Sequence, residues 1–137
     1  MSLKLEIVTP EKKVYSETVD SVVLPTTSGE VGILPGHIPL ITEIKAGELA
    51  ITKDGVIDLL AVDIGFAEVI GDTVSVLTEA AVDIEDIDLA TVEEAQRRAE
   101  EALKEAEGQD MDQDEILALE ARVRFALVQQ LAKKKGK

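Results

Sequence analysis

The chain reads as an antiparallel β domain, a sandwich or a barrel, followed by an α-helical hairpin. Three observations support this. Turn signals recur every eight to twelve residues through the first 88 positions, with no helical period between them. Near residue 83 the β-branched texture gives way to Ala, Glu, Gln, Arg and Leu, which are good helix formers. Charge divides at the same place: residues 1–88 hold 5 Lys+Arg against 17 Asp+Glu, and residues 89–137 hold 9 against 11.

Leu3, Leu5 and Ile7 alternate with Lys4, Glu6 and Val8, the period of a half-buried strand. Thr9-Pro10-Glu11 turns the chain into a second extended run, Val14 to Val23. The stretch Leu24–Ile41, LPTTSGEVGILPGHIPLI, packs three glycines and three prolines among Val31, Ile33, Leu34, Ile38, Leu40 and Ile41. Glycine opens backbone angles closed to other residues and proline fixes φ, so this reads as short, rigid strands turning sharply, a binding edge. A strand over Glu48 to Thr52 meets Lys53-Asp54-Gly55, and Asp-Gly is a strong hairpin signal. Val56 to Ile64, Phe66 to Ile70 and Val74 to Leu77 complete the β region, with breaks at Gly65 and Gly71-Asp72.

Asp83-Ile84-Glu85-Asp86-Ile87-Asp88 reads as a link, with Asp88 as N-cap of a first helix. Leu89, Val92, Gln96, Ala99, Leu103 and Ala106 form its narrow stripe, and Gly108 is placed as a C-cap. After a short turn, Asp112 or Asp114 caps a second helix whose stripe is Ile116, Leu119, Val123, Ala126, Leu127, Gln130 and Leu131. The short connection makes the helices antiparallel neighbours, and an Ala-rich seam holds such a pair weakly by itself.

Composition excludes several functions. A net charge of −14 opposes nucleic-acid binding. There is no cysteine, hence no disulfide, thiolate site or cysteine nucleophile. No stretch approaches the length of a membrane span, and residues 1–10 lack the pattern of a signal peptide. His37, the single histidine, has no partner set for a metal or for acid–base work, so it reads as scaffold or interface. Neither a P-loop nor a nucleophile elbow is present. The late cations Arg122, Arg124, Lys133, Lys134, Lys135 and Lys137 offer charge to something acidic, although terminal lysines also complement a helix dipole.

The run SGEVGILPGHIPLIT (Ser28–Thr42) resembles the signature loop of the epsilon subunit of bacterial-type F-type ATP synthases. GFAEV at Gly65–Val69, VSVLTEAA at Val74–Ala81 and EDID at Glu85–Asp88 follow in the expected order. The resemblance implies a sandwich of two five-stranded sheets over residues 1–84 and a regulatory helical hairpin over 85–137. It implies a non-catalytic rotor subunit of the central stalk, peripheral on the cytoplasmic face of the bacterial inner membrane; a plastid counterpart would look similar. The sandwich would bind the gamma subunit and the membrane c-ring through Glu30, Val31, Gly32, Ile33, Leu34, Pro35, Gly36 and His37. Extended into the alpha–beta catalytic head, the hairpin would inhibit ATP hydrolysis, with Arg122, Arg124, Lys133 and Lys134 meeting an acidic segment of the beta subunit.

Some relatives bind ATP through an I/L-D-x-x-R-A motif and second-helix arginines. Here Ile87 and Asp88 remain, Thr91 and Val92 replace Arg and Ala, and the second-helix positions are Phe125 and Gln129. Arg97 and Arg98 are the guanidinium groups left nearby, and no cofactor or regulatory ATP is expected. The alternatives are an ATP-sensing hairpin module and an unrelated sandwich-plus-hairpin adaptor.

Overall fold

Alternation in the first strand puts Leu3, Leu5 and Ile7 on one side, and in the computed structural model all three are fully buried. The structure describes residues 2–107 and 112–135. Ten strands are formed: β1 Leu3–Val8, β2 Lys13–Val19, β3 Ser21–Thr26, β4 Gly29–Ile33, β5 Leu40–Ile44, β6 Gly47–Lys53, β7 Val56–Val62, β8 Gly65–Ile70, β9 Thr73–Thr78 and β10 Ala81–Asp83. A 3-10 turn at Ile84–Asp86 leads to α1 Leu89–Ala106 and α2 Gln113–Lys135.

The strands make two five-stranded layers, β10-β7-β6-β3-β4 and β5-β8-β9-β1-β2. They are not separate sheets: a single pair, Thr26↔Ile44, joins β3 to β5 and makes the hydrogen-bonded path continuous. Inward residues of both layers, among them Leu24, Ile33, Leu49, Ile51, Val62, Val69 and Val74, form one aliphatic core. Each fully buried side chain of this kind contributes about 1.5–3 kcal/mol.

The extended run expected over Val14–Val23 is two strands. Asp20 is the corner where the chain leaves one layer for the other: its N–H donates to Thr52 O (2.8 Å) and its carboxylate accepts from Asp54 N (2.9 Å). The Asp54-Gly55 hairpin has positive φ at both residues (51° and 78°), the primed turn that its sequence signals. β10 has no counterpart among the expected strands, because three residues are too few to show alternation.

Asp88 caps α1 by accepting from Ala90 N and Thr91 N. The proposed cap at Gly108 lies outside the described residues; α1 itself ends at Ala106. Asp112 caps α2, its carboxylate accepting from Asp114 N (3.2 Å). The expected α2 stripe needs correction, since Leu127 and Leu131 are exposed (45% and 70%). α2 touches two surfaces instead of one. At about 100° per residue, Leu119 and Gln130 point one way and Phe125, Val128 and Ala132 nearly the opposite way. Gln130 hydrogen-bonds Gln96 of α1, whereas Phe125, Val128 and Ala132 pack into a second cluster with Ala61, Ile84, Ile87 and Val92. Two buried arcs on opposite sides leave no single apolar stripe to read.

A Cβ built on Gly65 would lie 1.9 Å from Leu77 O and 2.7 Å from Thr78 Cα, both backbone of β9. Gly65→Ala therefore forces strands β8 and β9 apart, and we expect a loss of about 3 kcal/mol in urea unfolding. Gly32→Ala, where a Cβ meets nothing within 4 Å, is the control and stays within about 0.5 kcal/mol.

Candidate functional site

The glycine- and proline-rich stretch is rigid for identifiable reasons. Buried Thr26 donates from Oγ1 to Gly29 O (2.6 Å) and accepts from Ser28 N (3.2 Å), closing a turn in which Gly29 has φ +111°. β4 follows as an edge strand paired only to β3, with Glu30 and Gly32 exposed, Val31 half-buried and Ile33 in the core. Leu34-Pro35-Gly36-His37 is then a tight turn: His37 N donates to Leu34 O (3.1 Å) and Gly36 has φ +86°. A positive-φ glycine at the third place is what a type II turn requires, and proline is common at its second. Gly36 N also donates to Asp72 Oδ1 (3.2 Å), pinning this turn to the β8–β9 hairpin.

Glu30 and His37 lie at opposite ends of this segment, because the five residues of β4 span about 13 Å. Glu30 shares a groove with Pro25, Lys45, Gly47, Val128 and Leu131, beside the last turns of α2. His37 is half-buried, with Nδ1 2.7 Å from Ile38 O. No cluster of three His, Cys, Asp or Glu placed to hold a metal occurs among the described residues, and no helix there is long and apolar enough to cross a membrane.

The largest chemical signal on the sandwich lies elsewhere. On the outer face of β5, β8 and β9, Phe66 stands opposite Leu77, and Ile41 is diagonal to both Phe66 and Ile70. All four are exposed, from 55% for Phe66 to 72% for Ile41, although their neighbours Ala67, Val69 and Val76 already fill the core. Ile64, Phe66 and Leu77 also border a groove with Val8 and Pro10. Of this face the sequence marks only Ile41, at the end of the glycine- and proline-rich stretch. GFAEVI carries a partial signal: Phe66 and Ile70 put large apolar side chains on the outward side of a strand, with Glu68 between them.

Four cations of α2 divide into two pairs. Arg122 and Lys134 are exposed, and Arg122 borders a recess with Arg98, Ala99 and Leu119. Arg124 turns inward, donating from Nε to Asp63 Oδ1 (2.7 Å) and from Nη2 to Asp63 Oδ2 (3.0 Å). That bond holds the guanidinium more firmly protonated, against the opposing effect of partial burial. Lys133 donates from Nζ to Ile84 O (3.1 Å). Asp63, which no motif or spacing singles out, is thus the buried acid that receives Arg124.

The four nucleotide candidates do not converge. Ile87 is in the cluster beneath the hairpin and Asp88 is a helix cap. Arg97 bonds Glu94 and Glu101, and Arg98 bonds Glu94, all on the exposed side of α1. The hydrogen bond from Arg97 holds the Glu94 carboxyl below its usual range. Thr91, which occupies the place of the motif arginine, donates instead to Asp88 Oδ2 (3.1 Å) and strengthens the cap.

Comparison with known proteins agrees with this architecture. Residues 2–84 match the family described as ATP synthase, Delta/Epsilon chain, beta-sandwich domain. The chain is 45% identical over 136 residues to the ATP synthase epsilon chain of Geotalea daltonii, covering 98% of this chain and 96% of that one. It is 42% identical over 111 residues to the ATP synthase epsilon chain of Halalkalibacterium halodurans, covering 81% and 84%. A chain in the cryo-EM structure of the Euglena gracilis mitochondrial ATP synthase, OSCP/F1/c-ring in rotational state 1, superposes with a TM-score of 0.69 at 24% identity, over 96% of this chain and 81% of that one. At that identity the likeness is one of fold.

If Asp88 serves α1 as its cap, Asp88→Ala should cost about 1 kcal/mol of hairpin stability, read as loss of helical circular dichroism at lower urea. Asp88→Ser should recover most of it.

Proposed function

Because the chain belongs to the ATP synthase delta/epsilon family, and specifically among its epsilon chains, we propose that it is a non-catalytic rotor subunit whose sandwich joins the gamma subunit to the membrane c-ring. The observation that carries this reading is the exposed apolar face of Ile41, Phe66, Ile70 and Leu77 on a folded, rigid sheet. Four large apolar side chains left exposed on one sheet face, around Glu43 and Glu68 of the same face, mark a surface that a partner covers. Gamma is the partner assigned to it, through burial of those side chains. The tied turn at Leu34–His37, continuous with that face through the Gly36–Asp72 bond, and Glu30 on the edge strand are assigned to the c-ring side of the junction. A torque-bearing contact requires an element that does not bend, and the bonded turns at both ends of β4 supply one.

The hairpin is assigned the inhibitory role. Its exposed Arg122 and Lys134 are available to an acidic segment of the beta subunit, and Arg124 and Lys133 join them when α2 leaves the sandwich. The subunit works peripherally on the cytoplasmic face of the membrane. No regulatory nucleotide belongs to this reading: the Arg97 and Arg98 guanidiniums are engaged by carboxylates, and a triphosphate would have to displace them.

Phe66→Ser should abolish co-purification with gamma, with the sandwich still folded and its stability lowered by no more than about 1 kcal/mol, because Phe66 is outside the core and loses only its cross-strand pair with Leu77. Retained binding would overturn the assignment of this face. Removal of residues 89–137 should raise ATP hydrolysis by the assembled enzyme; unchanged hydrolysis would remove the inhibitory role. Calorimetry with millimolar ATP should give no binding heat.

A further inference from the structure

The hairpin meets the sandwich through a small cluster in which Ala61, Ala126 and Ala132 supply one methyl group each. Beside them Ile84, Ile87, Val92, Phe125 and Val128 complete the contact, and an apolar contact of this size is non-directional, leaving the rotation and axial position of a helix loosely set. The polar contacts fix both. Arg124 and Lys133 are nine residues apart, about 180° around α2, so they flank the arc of Phe125, Val128 and Ala132 on its two sides. Lys133 reaches the Ile84 carbonyl on one flank, and Arg124 reaches Asp63 on the other.

The Asp63 contact is the more demanding. Its side chain is 4% accessible, and its carboxylate accepts from Ile64 N (2.8 Å) in addition to the two guanidinium hydrogens. The Ile64 bond is local and persists whatever α2 does; the other two bonds exist only when the hairpin is folded down. A planar fork matched to both carboxylate oxygens fixes orientation as well as distance. Removing it leaves a largely buried carboxylate with one donor.

We propose that the Asp63–Arg124 ion pair is a latch that holds the hairpin against the sandwich and withholds Arg124 from the catalytic head. The proposal rests on the reading above that the hairpin moves between folded and extended positions. The latch makes one guanidinium serve two mutually exclusive contacts. While Asp63 holds it, Arg124 cannot meet an acidic segment of beta; once the hairpin lifts, the inhibitory surface gains Arg124 and, with the Ile84 contact broken, Lys133. Folding and inhibition are thereby made to compete for the same charge.

The natural chain lacks cysteine, so spin labels at Thr27→Cys on the sandwich and Ala118→Cys on α2, both exposed sites, report the hairpin position without interference. In the full chain, Asp63→Asn, which keeps the Ile64 bond and the side-chain shape, should lower the ratio of folded to extended hairpin roughly tenfold in pulsed electron paramagnetic resonance. Arg124→Gln, which leaves the sandwich intact, should do the same. The double variant should add little to either single change. An unchanged distance distribution in both single variants, or fully additive losses, would overturn the latch. In the assembled enzyme Asp63→Asn should slow ATP hydrolysis, because a free Arg124 is released. Arg124→Gln should slow it less, because the released hairpin lacks that cation. Distances that shift while hydrolysis stays constant would uphold the latch and remove the inhibitory reading instead.

Discussion

The fold depends on how one strand, β3, divides its hydrogen bonds. One side of β3 pairs along its length with β4. The other side pairs with β6 at Ser21–Val23 and with β5 at Thr26. Pro25 lies between those two partners, at the position where the strand passes from one layer to the other. Proline has no N–H to contribute, and a strand changing partners is a place where its absence costs least. Lys45 N closes the switch by donating to Pro25 O (2.9 Å). The glycine- and proline-rich stretch continues from this point, so its rigidity is inherited from the junction of the two layers.

From that junction the molecule acquires two outer faces of different character. The β5-β8-β9 face keeps Ile41, Phe66, Ile70 and Leu77 in the open, with none of the described residues upon them. The β6–β7 face offers Leu59 and Ala61 to the hairpin, which covers it with α2 and the turn at Ile84–Asp86. The first face sets large apolar side chains around Glu43 and Glu68. The second is small in area and dependent on a few directed bonds. That contrast supports the proposal of a sandwich fixed within a rotor and a hairpin that can move.

Asp63 connects the two faces. It follows β7, beneath the hairpin, and immediately precedes Ile64 and Gly65, which lead into the apolar strand β8. Its N–H donates to Ala80 O (2.9 Å), and Thr78 Oγ1 donates to its carbonyl (2.8 Å). The backbone that positions the latch is therefore the same backbone that holds β8 against β9, where Gly65 admits no side chain. Stiffness in this corner serves both contacts.

The features legible in the sequence alone are local ones. The period of two in β1, the Asp-Gly turn, the Gly36 turn with its proline, and the Asp88 cap are all written in neighbouring residues, since each depends on backbone angles or spacings within a few positions. The run Ser28–Thr42 carried the family as well. The tertiary structure decided everything that depends on partners distant in the chain. It split the run Val14–Val23 at Asp20, because Thr52 and Asp54 take its bonds. It gave α2 two opposed buried arcs, which cancel in a one-dimensional pattern and leave Leu127 and Leu131 outside. It also turned Arg124 and Lys133 from outward cations into contacts with Asp63 and Ile84, 61 and 49 residues away. A lone aspartate in a strand-end sequence of Val, Asp and Ile carries no mark of its partner; only the packing of α2 over β7 supplies one.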